Sequence, residues 1–122
     1  MSPLARAVIV FEKSPRFEAE LKRRMSSPQL FVRPCRSGAD VVSLSRRAPG
    51  SVVVIDLASV AADGWRLLDE LAERPFQVSP VAVASRDMEG LEWAAREMGA
   101  VAFVTELQGG AALADVCQRL LG

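Results

Sequence analysis

The chain has 122 residues, 50% of them hydrophobic and 25% charged, with 15 basic side chains against 15 acidic ones. That length and composition describe one globular domain, and the balanced charge leaves no net field to draw nucleic acid or an acidic substrate. Histidine is absent, which excludes His-based catalysis and His metal ligation.

Cys35 and Cys117 stand apart, without metal or redox spacing, and read as two reduced thiols. No apolar stretch approaches the ~20 residues needed to span a bilayer. The charged pair Glu12-Lys13 interrupts the opening apolar segment before it can form a signal sequence. The expectation is a cytoplasmic protein with no membrane contact.

In chain order, residues 5–11 (ARAVIVF) are apolar and rich in β-branched side chains, a first strand. Ser14-Pro15 is a helix-start signal, with Ser as cap and Pro at the first helical position. Phe17, Leu21 and Met25 then recur on one face of an amphipathic helix. Residues 29–33 (QLFVR) form a shorter second strand, and Pro34 directly after it points to a sheet edge. A second helix carries Val41, Val42 and Leu44 and ends at Arg46-Arg47.

Residues 52–55 are four consecutive β-branched side chains, apolar without alternation. This is the pattern of a central parallel strand covered on both faces. It stops at Asp56. Asp63-Gly64 predicts the cap and tight turn of a third helix that starts at Trp65 and buries Leu67, Leu68 and Leu71. Residues 80–85 (PVAVAS) are a fourth strand, followed by a helix over about 88–98 with Leu91, Ala94, Ala95 and Met98 on one stripe. Trp93 falls opposite that stripe and should be exposed. Residues 101–104 are a fifth strand, Gly109-Gly110 a break, and residues 111–121 a last helix with Leu113, Val116, Cys117 and Leu120 inward. Strand and helix alternate five times, which implies a parallel sheet with helices on both faces and right-handed crossovers.

In such a sheet Glu12, Lys13, Asp56, Ser85 and Glu106 share one rim, at the carboxyl ends of the strands where open α/β sheets bind their ligands. Each has an ordinary alternative. Asp56 alone could be a loop carboxylate, Lys13 and Glu106 solvated rim charges, Ser85 a helix cap, and Phe103 a core side chain.

Taken in order, these residues resemble the receiver domain of bacterial response regulators over almost the whole chain, the flavodoxin-like fold of the chemotaxis regulators. Asp56 with Asp63-Gly64 is similar to the family's D-x-x-M-P-x-x-D-G. Glu12 resembles the first acid of the pair after strand one, and Ser85 the Ser/Thr ending strand four. Gly99-Ala100 with Phe103 resembles its G-A-x-x-(Tyr/Phe). The resemblance implies a flavodoxin-like (βα)5 three-layer sandwich with a five-stranded parallel sheet, one receiver-like domain over residues 1–122. It implies Asp56 as phosphoacceptor, with Glu12 and Asp56 on Mg²⁺ and Phe103 at the place of a rotamer switch.

Three departures qualify it. The second acid is Lys13, the Met-Pro after the phosphoacceptor is Ser59-Val60, and the Lys-Pro after strand five is Glu106-Leu107. Lys13 removes an oxygen ligand that a hard cation wants, and Glu106 replaces the cation expected to meet the phosphate. Three acids and one lysine remain in either pattern, so the charge is exchanged rather than lost, and a Lys13 ammonium could pair with Asp56 or Glu106 without metal.

The expectation is therefore a non-enzymatic, atypical pseudo-receiver whose Mg²⁺-dependent phosphorylation at Asp56 is impaired. It docks to proteins (a histidine kinase, an output domain or another signalling protein) through the face around Trp93 and Phe103. A homodimer through that face is left open. The alternative is a working phospho-accepting receiver. A flavodoxin-fold enzyme or cofactor carrier ranks lower, because Glu12-Lys13-Ser14-Pro15 is no glycine-rich phosphate cradle.

Overall fold

The β-branched run at Val52–Asp56 is β3, and it lies between two parallel neighbours. A computed structural model describes residues 6–25, 30–73, 76–106 and 108–122. In it β1 (Ala7–Phe11), β2 (Phe31–Cys35), β3, β4 (Ser79–Ala84) and β5 (Ala102–Thr105) form one parallel sheet in the order β2-β1-β3-β4-β5. The helices are α1 (Phe17–Arg24), α2 (Gly38–Arg47), α3 (Leu57–Val60), α4 (Ala62–Glu73), α5 (Glu92–Glu97) and α6 (Gly109–Leu121). A 3₁₀ turn over Arg86–Leu91 leads into α5.

Successive side chains of β3 point to opposite faces, and both faces are covered. Val52 and Val54 pack with Val8, Val10, Phe17, Leu21, Leu113 and Cys117 against α1 and α6. Val53 and Ile55 pack with Ile9, Phe11, Val41, Leu67, Leu68 and Ala95 against the other helices. The flavodoxin-like three-layer architecture read from the sequence is the one observed. At the start of β3 the buried Ser51 hydroxyl donates to the Ala48 carbonyl (2.7 Å) and accepts from the Ala7 N–H (2.9 Å), which ties β3 to β1.

Several boundaries differ, each for a physical reason. Ser14-Pro15 does not start α1: the helix begins at Phe17, because the Glu12 carboxylate reaches its free N–H groups and Ser14 does not. β2 runs two residues further than expected and includes Pro34; it pairs only with β1, and an edge strand tolerates a missing donor. Gln29 lies outside the described residues. The third helix does not open at Trp65 under an Asp63 cap. α3 and α4 instead meet at Ala61, at φ 48°, so Asp63 lies in the first turn of α4 and pairs with Arg66. Gly64 faces inward there, and an added Cβ would stand 2.7 Å from Val60 Cγ2 and 2.9 Å from Leu57 Cδ2. Close approach of α4, rather than a turn, is what requires this glycine.

The fourth helix is α-helical only from Glu92. No residue of the 3₁₀ turn is buried, and Leu91, expected on the inner stripe, is 40% exposed. Gly109-Gly110 is not a break but the first turn of α6.

Candidate functional site

Glu12, Lys13, Asp56, Ser85 and Glu106 do gather at the carboxyl rim of the sheet, because each follows or ends a parallel strand. Glu12 is 3% exposed, and its role there is occupied. Its Oε1 accepts from the Phe17 N–H (3.0 Å), and its Oε2 accepts from Glu18 (2.9 Å) and Arg16 (3.2 Å). A carboxylate set against the free N–H groups of a helix start offsets the positive end of the helix dipole and satisfies donors that would otherwise be orphaned. Glu12 is thus the cap of α1, a role assigned to Ser14 from the sequence.

Asp56 ends β3 and is 4% exposed. Among the described residues no protein donor lies within hydrogen-bonding reach of its carboxylate; only its main-chain oxygen is engaged, by the Ser59 hydroxyl at 3.4 Å. Ser59 also accepts from the Lys13 N–H at 3.3 Å. The side chain standing where the resemblance expects Met-Pro therefore links the loop after β1 to the turn after β3. Sequence reading passed over this link; the one signal was the departure itself.

Lys13 and Glu106 do not pair. Among the described residues the Lys13 side chain forms no ion pair with either Asp56 or Glu106, while its carbonyl accepts from Arg36 Nη1 at 2.7 Å. Glu106 is held by Arg16 instead: Nη2 donates to Oε2 at 3.1 Å, and the Arg86 N–H donates to Oε1 at 3.4 Å. The longer guanidinium, starting one helical position before Phe17, spans a gap that Lys13 does not. Arg16 was not singled out from the sequence, where it reads as one more surface charge. Ser85 stands at the cap position of the 3₁₀ turn without a side-chain cap hydrogen bond, and its hydroxyl donates to the Asp87 carboxylate at 2.5 Å.

Mg²⁺ takes oxygen ligands, usually one or two carboxylates together with waters, and of the carboxylates the resemblance places on it only Asp56 has its side chain clear of protein hydrogen bonds among the described residues. Both oxygens of Glu12 are turned onto α1, an amine replaces the second acid, and Glu106 is bound to Arg16. Among the described residues no three of His, Cys, Asp or Glu come together as a metal cluster. Of the two buried rim carboxylates, Glu12 and Asp56, only that of Asp56 is clear of protein hydrogen bonds among the described residues.

On the adjoining face Trp93 is 74% exposed, as its position opposite the helix stripe requires. Phe103 is half-buried against the core and lines an open cleft with Glu89, Glu92, Thr105 and Gln108.

No family model matches the chain, and no curated protein sequence matches it. Solved structures do. The receiver domain of the TMAO respiratory system response regulator TorR is 22% identical, with TM-score 0.79 over 95% of this chain and 96% of that one. The receiver domain of the Francisella response regulator 1452 is 16% identical, with TM-score 0.79 over 95% and 96%. A DNA-binding response regulator of the LuxR family from Staphylococcus aureus is 16% identical, with TM-score 0.76 over 96% of this chain and 99% of the solved one. The fold is that of response-regulator receiver domains. No helix among the described residues is long and apolar enough to cross a membrane.

Proposed function

We propose that this chain, built on the fold of response-regulator receiver domains, is a signalling module rather than an enzyme. It acts by docking to a protein partner, such as a histidine kinase or an output domain, and Mg²⁺-dependent phosphorylation at Asp56 is impaired. One observation carries the reading: Glu12, the carboxylate that the resemblance sets beside Asp56 on Mg²⁺, has both oxygens engaged by the N–H groups at the start of α1. Phosphoryl transfer depends on neutralising charge on the moving oxygens. Here Glu106 adds a negative group on the side where the resemblance places a lysine, and its own cation is Arg16. Docking falls to the face of the 3₁₀ turn, α5 and β5, where Trp93 stands exposed and Phe103 lines an open cleft.

The test is a titration with Mg²⁺ and beryllofluoride, followed by tryptophan fluorescence and amide shifts, with Asp56→Asn as control. The expected result is no saturable response at millimolar Mg²⁺. Shifts centred on Asp56 and lost in Asp56→Asn would overturn the impairment and make the chain a working phosphoacceptor. If there is no response, Lys13→Asp combined with Glu106→Lys is the restoration to try.

A further inference from the structure

The cleft beside β5 has a volume of about 590 Å³ and is lined by Glu89, Glu92, Phe103, Thr105 and Gln108. That is within the range of sites that bury a small ligand or a few side chains. Its charged lining is wholly acidic. Glu92 accepts from Arg96 Nε at 2.9 Å, but Arg96 is not part of the lining and its Nη1 is spent on the Val101 carbonyl at 3.2 Å. Glu89 has no ion pair among the described residues. Gln108 uses its Oε1 on the Thr105 N–H at 2.8 Å, which leaves its amide NH₂ as the donor it can present.

The stretch of chain that carries these acids also carries exposed apolar side chains, none of which lines the cleft itself. Leu91, Trp93 and Val101 are three of the four exposed large apolar side chains among the described residues, and all lie in this stretch. The 3₁₀ turn that carries Glu89 buries none of its residues fully, and Met88 alone of its side chains packs against the core. With Glu92 held by Arg96, Glu89 is the lining carboxylate without an ion pair among the described residues, and a free carboxylate in a cleft that also presents an aromatic ring attracts a cation with an apolar neighbour and repels acidic or phosphorylated segments.

We infer that this cleft takes a short basic–apolar segment of a protein partner. A Lys or Arg is placed against Glu89, an adjacent apolar side chain rests on Phe103, and the Gln108 amide donates to the segment's backbone carbonyl. The inference rests on the docking reading above and adds the partner's chemistry to it.

The test uses the full chain, ¹⁵N-labelled, and two acetylated hexapeptides, Gly-Leu-Arg-Leu-Lys-Gly and the same peptide with Gln in place of Arg and Lys. The basic peptide is expected to shift the amides of Glu89, Phe103 and Gln108. Its binding should weaken at least tenfold in Glu89→Lys and should fall as salt is raised. Equal binding of the Gln peptide at the same amides would overturn the basic-partner inference and leave the docking reading standing. If neither peptide shifts the cleft, both fall. A second copy is the other occupant to exclude, because the β2 edge carries Arg33 over the exposed Phe31 ring at 5.4 Å. Self-association that rises with concentration and is abolished by Glu89→Lys or Arg33→Glu would assign the cleft to that copy and overturn the foreign partner.

Discussion

Arg16 reaches from the start of α1 to Glu106 at the end of β5, Nη2 to Oε2 3.1 Å apart, and joins two loops on opposite sides of Asp56. Arg16 is exposed and Glu106 half-buried, and a solvent-screened pair of this kind contributes at most about 1 kcal/mol. Glu106→Lys is therefore expected to change stability by less than about 1 kcal/mol. Urea denaturation would check this; a larger loss would mean that the pair organises the rim rather than decorating it.

Glu12 is the opposite case. Glu12→Ala strips three N–H groups of α1 of their acceptor, and loss of a charged cap of this kind costs about 1–3 kcal/mol. The melting temperature should fall by several degrees, with α1 amides exchanging faster than those of α4.

Asp56→Asn should act in the other direction. The native residue is 4% exposed and its carboxylate takes no protein donor among the described residues, but its oxygens are not among the fully buried unpartnered atoms, so solvent still reaches the charge and offsets part of the cost of holding it. Removing it is expected to stabilise the fold by about 1 kcal/mol or less, below the scale of a fully buried unsatisfied polar group. An unchanged or lowered denaturation midpoint would show that the charge is compensated.

Gly64→Ala would place a methyl within 3.0 Å of Val60 Cγ2, Leu57 Cδ2 and Ile55 Cγ2 at the junction of α3, α4 and β3. Overpacking of this kind costs about 1–3 kcal/mol, more than alanine's helical advantage over glycine recovers. Gly90→Ala meets nothing within 4 Å and serves as the neutral control.

Burial pushes the Cys35 thiol up to about 11 and the Cys117 thiol up to about 12, with Asp40 adding to the first. A raised pKa means that the folded chain keeps protons which the unfolded chain gives up. The stabilising contribution is complete below the unfolded value of 9.0 and is lost as pH rises through 11 and 12. Stability should therefore decline above pH 9, and the decline should be shallower in Cys117→Ala at equal starting stability. Native protein should react with Ellman's reagent only on unfolding timescales.

The five-stranded architecture was legible because hydrophobic periodicity is a local signal. The unbroken run at Val52–Ile55 can only be a strand covered on both faces, and the strand ends then place Glu12, Asp56, Ser85 and Glu106 on one rim whatever the side chains do. The same logic put Trp93 outward.

What each rim residue does was decided only by tertiary structure. Lys13 and Arg16 are both cations near the same loop in the sequence, and only the path of the chain into α1 brings the guanidinium, not the ammonium, to Glu106. Likewise Ser14-Pro15 carries the local signature of a helix start, yet a carboxylate already buried at the end of β1 outcompetes it for the same N–H groups. Residue type and spacing determine the strands, the helices and the place of the site. The partner of each charge depends on distances across chain segments far apart in sequence, and those exist only once the sheet has assembled.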